Sequence, residues 1–184
     1  SAGGNWTIDH KEHGYLLDTG PMRPTSRGTV RLQSANPRDA LLIDPNYLNT
    51  EADRQSMRDG FELGRETLSQ PAFAPFDAGE VVPGPRIRSK AEVDEFIRDH
   101  TASAYHPIGT CKMGSEFDAN AVVDSTGAVF GLEGLRIADA SVMPSLVSAN
   151  TNAASMMVGE KLADAILGNT PAKPLDVPFV SRVG

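Results

Sequence analysis

The residues of this chain that are best suited to chemistry are His106 and Asn150. His106 precedes Pro107, and a proline disfavours helical backbone in the residue before it, so extended backbone is predicted at His106. An imidazole can accept a proton at neutral pH. The amide of Asn150 can donate and accept hydrogen bonds without a change of charge. Together the two side chains could bind a single hydroxyl group.

Simpler interpretations exist for residues of this kind. A lone histidine is more often a surface or core residue than a catalyst. Asparagine directly before a helix is commonly its N-cap, and we predict that Asn150 both caps the following helix and binds a ligand. Asp139 could simply close a turn. Cys111 has no base beside it in the sequence and is predicted to pack as a small apolar group.

The sequence around these residues resembles the C-terminal portion of the glucose-methanol-choline (GMC) flavin oxidoreductases. The resemblance extends from about residue 14 to residue 168. Five blocks carry it, in the family's order and spacing: residues 23–32, 43–48, 105–114, 134–144 and 148–153. Each block alone is moderate evidence, and their order makes the resemblance strong.

The resemblance implies oxidation of an alcohol with FAD as the cofactor. His106 would take the hydroxyl proton while hydride leaves the carbon for the flavin, and Asn150 would orient the same oxygen. Some family members carry a second histidine in place of Asn150. The pairing of histidine with asparagine resembles the branches that act on choline and other primary alcohols.

The resemblance also assigns residues to the cofactor. Tyr105 matches the residue packed beside the flavin ring, and Asp139 and Ala140 match the segment near the phosphates and ribityl chain. Asn152 and Ala153 match the start of a helix at the edge of the ring. The N–H groups and partial positive charge of a helix N-terminus favour a reduced, anionic flavin there.

One feature of the family is absent from the 184 residues. The glycine-rich Gly-x-Gly-x-x-Gly turn that holds the cofactor's pyrophosphate does not occur. We therefore expect a C-terminal piece that needs the N-terminal FAD-binding portion of the same enzyme and is inactive alone. The alternatives are an isolated non-catalytic fragment, or a lyase or decarboxylase built on the same scaffold. The sequence contains no Gly-x-Ser-x-Gly motif, which would favour a hydrolase.

Composition limits the partners. A net charge of −7 and a pI near 5.0 argue against nucleic acid and anionic membranes, which need a basic surface. No apolar run of about 18 residues predicts a membrane span, and no signal peptide is visible. The single cysteine excludes an internal disulfide and favours a reducing compartment, so we expect a cytoplasmic protein. The small alcohol expected as the substrate is implied by the family resemblance.

The fold class predicted is α+β, with an antiparallel sheet and flanking helices followed by a strand and helix segment that completes a flavin-binding domain. We assign residues 1–120 to part of a substrate-binding domain, residues 121–170 to the segment that returns to the FAD-binding domain, and residues 171–184 to a tail. The first 13 residues, including His10 and His13, are predicted to form a solvated linker rather than a metal site.

Local patterns predict the elements. Residues 15–22 and 28–34 are predicted to form a half-buried antiparallel pair. Thr50 with Asp53, and Ser89 with Glu92, resemble capping boxes that open two helices, and the proline-rich segment 71–86 between them is predicted to be a loop. Short strands joined by glycine turns are predicted over residues 121–140. A last helix is predicted over 152–167, with a core stripe of Val158, Leu162, Ala165 and Ile166.

Overall fold

The computed structural model describes residues 13–170, 172–173 and 175–176. The predicted linker before His13 and the prolines Pro171, Pro174 and Pro178 of the predicted tail lie outside the described residues. The described elements, in chain order, are β1 (Thr29–Arg31), β2 (Leu42–Asp44), α1 (Glu51–Leu68), a 3-10 helix (Ala74–Phe76), α2 (Lys90–His100), a second 3-10 helix (Ala140–Val142) and α3 (Asn152–Leu167). The class is α+β, as predicted.

The chain divides into two compact units. The first contains Ser1–His106 and Ser145–Ala149, and the second contains Pro107–Pro144 and Asn150–Gly184. Both strands, α1 and α2 therefore belong to the first unit, and α3 belongs to the second.

The antiparallel sheet of the first unit differs from the predicted one. β1 pairs with β2, with Val30 opposite Ile43, whereas residues 15–22 form no strand. The prediction of a half-buried pair was also wrong, because every residue of β1 and β2 is exposed. Gly28 makes the close approach of the strands possible, since a Cβ at Gly28 would lie 2.1 Å from the carbonyl oxygen of Asp44.

Residues 15–22 pack against α1 instead of pairing with β1. Two glycines on α1 leave room for this segment. A Cβ at Gly60 would lie 3.1 Å from Thr19 Oγ1, and one at Gly64 would lie 3.5 Å from Leu17 Cδ2. Leu17 and Thr19 therefore lie against the glycine face of α1.

The N-terminus of α1 confirms one half of the predicted capping box. The Thr50 side chain accepts a hydrogen bond from the Asp53 backbone N–H, as an N-cap does. The Asp53 side chain does not return to the cap, which was the other half of the prediction. It accepts instead from the backbone N–H groups of Thr25 (2.7 Å) and Ser26 (2.8 Å), and the backbone N–H of Thr50 donates to Ser26 Oγ at 3.3 Å.

Asp53 is buried, with 4% of its surface exposed. Burial raises the pKa of this carboxyl, but the hydrogen bonds from Ser26 and Thr25 outweigh burial and lower the pKa to about 2. The ionised carboxylate therefore joins the segment around Thr25 to the first turn of α1.

We expect Asp53 to make the stability of the fold depend on acid. Its pKa lies below the ordinary value of 3.8, so its contribution is complete above about pH 4 and is lost as the pH falls through about 2. The difference between a pKa of 3.8 and one of about 2 corresponds to about 2 kcal/mol of unfolding free energy. Urea denaturation at several pH values should show that Asp53→Asn removes this part of the wild-type pH dependence. Equally steep loss of stability in the variant between pH 4 and 2 would contradict the assignment.

The two long helices of the first unit are joined by a buried arginine. Arg58 on α1 is 7% exposed and donates to Asp94 on α2 at 2.8 Å, and it also contacts Glu51. At the start of α2, Ser89 and Glu92 form the complete capping box that the sequence predicted. These contacts fix α2, whose C-terminal end leads to the segment that contains His106.

The second unit has its own hydrophobic core. Its buried members come from three separated stretches of sequence: Val123, Val142, Met143, Val158 and Leu162. The range of α3, Asn152–Leu167, is the range predicted from the sequence. Two of the predicted core residues, Val158 and Leu162, are buried, but Ile166 is 56% exposed, so its assignment to the core was wrong for this chain.

The predicted strands of residues 121–140 are reduced to isolated bridges. These join Met113 to Val123, Val123 to Val129, and Ala128 to Arg136. The predicted glycine turns are present, since Gly127, Gly131 and Gly134 all have positive φ. Turns this closely spaced leave too few residues between them for a continuous ladder. Among the described residues, no helix is both long and apolar enough to cross a membrane.

Gly127 is the turn glycine with the least room. A Cβ there would lie 2.7 Å from the Ile137 carbonyl oxygen and 3.0 Å from Leu162 Cδ1, and φ is +75°. We expect Gly127→Ala to lower the unfolding free energy by about 2 kcal/mol or more, because strain and a backbone clash add. Gly134→Ala is the matched control: φ is +73° but nothing lies within 4 Å. Equal losses of unfolding free energy for the two variants, measured by urea denaturation, would contradict the clash at Gly127.

Candidate active site

His106 and Tyr105 lie at the end of the first unit, after α2. The helix ends at His100, whose ring stacks on Phe96 with centroids 4.1 Å apart, and the Thr101 N–H caps it by donating to the Ile97 carbonyl at 2.8 Å. The segment that follows has no regular structure as far as His106. His106 itself is half-buried.

Tyr105 has an unusual backbone for a bulky residue. Its φ is +62°, and its backbone N–H donates to Ser103 Oγ at 2.9 Å. Positive φ costs a non-glycine residue on the order of 1 kcal/mol or more, and such residues cluster at ligand sites. The ring is 88% exposed. The side chain is thus available to a ligand or to another part of the protein.

The segment Ser145–Ala149 also belongs to the first unit. The guanidinium of Arg23 donates to Ser148 Oγ from Nε at 3.0 Å and from Nη2 at 2.6 Å. No contact between Arg23 and Ser148 was predicted from the sequence, although both residues lie in blocks that resemble the GMC family. The two positions are 125 residues apart, so no local pattern could have revealed the contact.

Asn150 is exposed and begins the second stretch of the second unit, two residues before the start of α3. The N-cap of α3 is Thr151, with helical backbone angles, so the prediction that Asn150 caps the helix was wrong. The reason is register: the helix begins at Asn152, which places Asn150 one residue too early to serve as the cap. The carboxamide of Asn150 is therefore not committed to capping.

The first turn of α3 contains Asn152 and Ala153, and both are exposed. The N-cap side chain of α3 makes no capping hydrogen bond, in contrast to Thr50 on α1 and Ser89 on α2. A helix start of this kind presents N–H groups and about half a positive charge to an acceptor. This arrangement suits the electron-rich edge of a flavin ring.

Asp139 and Ala140 lie at a turn that packs on α3. Asp139 is the N-cap of the second 3-10 helix, and its carboxylate accepts from the Ser141 N–H at 2.8 Å. The simpler interpretation, that Asp139 closes a turn, is thus observed. Ala140 and Ala154 of α3 both pack against the core of the second unit, so the turn and the helix share one scaffold.

Backbone pairing connects two of the sequence blocks in the second unit. The N–H of Cys111 donates to the Ser141 carbonyl at 3.0 Å, and that of Met113 to the Val142 carbonyl at 2.8 Å. Gly109, two residues before Cys111, has a φ of +82°. The residues just after His106 are therefore held against the turn that contains Asp139. Cys111 is half-buried, as its predicted packing role requires.

Within the described part of the chain, no group of three or more histidine, cysteine, aspartate or glutamate residues could hold a metal ion. One cavity described there, of about 310 Å³, lies in the first unit near Tyr47, Arg54, Asp94 and Arg98. His106 is not among its lining residues. The candidate site therefore consists of the half-buried His106 and the exposed Tyr105 at the end of the first unit and, separately, of exposed groups at the start of α3 in the second.

Comparison with known proteins identifies the class. A sequence model of the family GMC oxidoreductase matches residues 24–159. The match includes every site residue predicted from the sequence: Tyr105, His106, Asp139, Ala140, Asn150, Asn152 and Ala153. The chain belongs to the GMC oxidoreductase family. This match confirms the resemblance found from the five sequence blocks.

Choline dehydrogenases are among the curated proteins similar to this chain. The chain is 46% identical over 167 residues to the oxygen-dependent choline dehydrogenase 1 of Chromohalobacter salexigens, covering 91% of this chain and 30% of that protein. It is 49% identical over 161 residues to the oxygen-dependent choline dehydrogenase of Klebsiella pneumoniae, covering 88% of this chain and 29% of that protein. The chain thus spans less than one third of these relatives.

Solved structures show the same fold relationship. Pyridoxine 4-oxidase from Mesorbium loti superposes with a TM-score of 0.76 at 36% identity, over 82% of this chain and 29% of that one. An FAD-dependent oxidoreductase from Chaetomium thermophilum gives 0.74 at 32% identity, over 80% of this chain and 25% of that one. FAD is the cofactor of the family, as predicted.

Proposed function

We propose that this chain is the C-terminal part of an FAD-dependent enzyme that oxidises a primary alcohol to an aldehyde. The observation that carries the proposal is the family match over residues 24–159, which contains both His106 and Asn150. The identity to choline dehydrogenases supports choline as the first alcohol to test. The pairing of a histidine with an asparagine supports a primary alcohol more generally.

His106 acts as the base in this proposal. Its imidazole accepts the proton of the substrate hydroxyl as the C–H bond breaks, which is typically worth about 10²- to 10⁴-fold in rate. FAD supplies the hydride acceptor when it is bound. Pro107 fixes the backbone that follows His106, which limits the positions the imidazole can adopt.

Asn150 orients the substrate in this proposal. Its amide N–H donates a hydrogen bond to the substrate oxygen, and this bond strengthens as negative charge develops on the oxygen. Holding the oxygen also fixes the direction of the neighbouring C–H bond, and correct direction contributes to rate through positioning. The carboxamide can do this because Thr151, not Asn150, occupies the N-cap of α3.

The residues present fit a flavin. Asn152 and Ala153 would place the N–H groups of the first turn of α3 at the electron-rich edge of the ring, where a helix N-terminus stabilises negative charge by about 0.3 to 2 kcal/mol. Asp139 and Ala140 would present backbone to the phosphates and ribityl chain. Tyr105 would pack beside the ring, for which its exposed side chain leaves room.

The rest of the enzyme is the proposed partner. Residues 1–120 would form part of the substrate domain and residues 121–170 would complete the FAD-binding domain, with the N-terminal portion supplied by the longer protein. The exposed apolar side chains of β2 support a missing neighbour, since Leu42 is 52% and Ile43 is 65% exposed. Alone, the chain is expected to hold no flavin and to show no turnover.

The proposal is tested by incubating the flavin-loaded full-length protein with a panel of primary alcohols, choline first, and measuring aldehyde. The chain alone, mixed with FAD, is the matched control and should yield none. Aldehyde formed from a cyanohydrin without flavin reduction would indicate a lyase instead. Loss of carbon dioxide from a fatty acid would indicate a decarboxylase. Failure of every primary alcohol would contradict the proposed reaction.

A further inference from the structure

The contact between Arg23 and Ser148 lies next to the proposed orienting residue. Two N–H groups of one guanidinium converge on a single hydroxyl oxygen, at 3.0 and 2.6 Å. Ser148 precedes Asn150 with only Ala149 between them. Holding Ser148 therefore confines the Cα of Asn150 to within about 7 Å of the Cα of Ser148, because consecutive Cα atoms are about 3.8 Å apart.

Arg23 is itself anchored by the fold. Pro24 follows it and fixes the local backbone. The next two residues, Thr25 and Ser26, are held through their backbone N–H groups by the buried carboxylate of Asp53, and Thr25 Oγ1 donates to the same carboxylate at 2.9 Å. The guanidinium thus extends from a segment fastened to the first turn of α1.

We propose that Arg23 is a positioning residue that sets the location of the Asn150 carboxamide by holding Ser148. The inference rests on the orienting role proposed for Asn150. The bond between Arg23 and Ser148 is exposed in the described chain, and exposed hydrogen bonds contribute little to stability. Its expected effect is therefore on catalysis, where a small misplacement of a reacting group is costly.

The chain offers a matched control for the charge of Arg23. Arg27 lies in the same loop, but its Nη1 donates to the carbonyl oxygens of Pro24 and Ser26, at 2.9 Å each, and these bonds stay within the loop. Arg27→Ala removes an equal charge without touching Ser148. Arg23→Lys keeps the charge of Arg23 but replaces its fork of donors with a single ammonium group.

The experiment compares kcat and KM of the flavin-loaded full-length protein with those of single and double variants. Arg23→Ala and Ser148→Ala are each expected to lower kcat by about tenfold with unchanged flavin content and unfolding temperature. Arg23→Lys should recover part of the loss, and Arg27→Ala should retain the wild-type kcat. In an Asn150→Ala background, adding Arg23→Ala should change kcat by less than about twofold, because the residue through which Arg23 acts is gone.

The outcomes separate this inference from the proposed function. Additive losses in the double variant, or wild-type kcat in Arg23→Ala and Ser148→Ala, would overturn the inference while Asn150 keeps its role. A lower unfolding temperature in both of these variants, together with additivity, would assign the pair a structural role only. Wild-type kcat in Asn150→Ala alone would overturn the orienting role and, with it, the inference.

Discussion

Replacing His106 with alanine in the flavin-loaded full-length protein is expected to lower kcat for alcohol oxidation by about 10²- to 10⁴-fold. The side chain is proposed to accept the hydroxyl proton, and alanine provides no base in its place. Steady-state kinetics of the two proteins with the same alcohol measure the effect.

His100→Gln is the matched control for this variant. His100 lies six residues earlier, stacks on Phe96 and contacts the Phe96 carbonyl at 2.7 Å through Nδ1, which is a structural arrangement. The control should keep kcat near the wild-type value, with a modest loss of stability. If His106→Ala kept full activity, or if both variants lost activity equally, His106 would not be the base.

Replacing Asn150 with alanine is expected to lower kcat by about 10²- to 10³-fold, the usual effect of removing a donor to a developing oxyanion. Because Thr151 is the N-cap of α3, the same change should alter the unfolding free energy by less than about 0.5 kcal/mol. The kinetic effect should therefore appear without a stability effect. Steady-state kinetics and urea denaturation of the same preparations measure the two.

Asn150→His is the variant that separates chemistry from packing. Some GMC members carry a histidine where this chain has Asn150, so the imidazole should restore part of the hydrogen bond and part of the rate. A large fall in stability for Asn150→Ala would restore the capping role that the structure assigns to Thr151. An inactive Asn150→His with an active Asn150→Ala would contradict the orienting role.

Much of the helical structure could be predicted because its signals are local. Ser89 and Glu92 lie three residues apart and form their capping box without help from elsewhere. Thr50 and Asp53 show the same pattern, but Asp53 bonds to Thr25 and Ser26, which are distant in sequence. A local pattern could not reveal that Thr25 and Ser26 would bind the Asp53 carboxylate, so only the N-cap role of Thr50 was predicted correctly.

The sheet could not be predicted because pairing is non-local. Residues 15–22 were predicted to pair as a strand, yet Thr19 and Leu17 lie beside Gly60 and Gly64 of α1. β1 pairs with β2 instead. Which partner is chosen depends on the surfaces available after the helices have formed. The exposure of β1 and β2 is likewise invisible in the sequence, where Val30 and Ile43 indicate burial.

The candidate site was found through sequence blocks, while its supporting contact was not. His106 and Asn150 lie in recognisable motifs, but the link between Arg23 and Ser148 joins positions 125 residues apart. Its identification required coordinates, because arginine and serine are common surface residues with no distinctive spacing. The register of α3 was equally decisive, since it moved the N-cap from Asn150 to Thr151.

The central claim, that this chain contributes the base and the orienting amide to a flavin-dependent alcohol oxidation, is tested most directly by one anaerobic mixing experiment. The flavin-loaded full-length protein is mixed with choline or another primary alcohol, and the visible absorbance of oxidised flavin is followed with time. We predict rapid bleaching in the wild type that is slowed by about 10²-fold or more in His106→Ala. Flavin that stays oxidised with every primary alcohol, or bleaching at equal rates in the two proteins, would contradict the account.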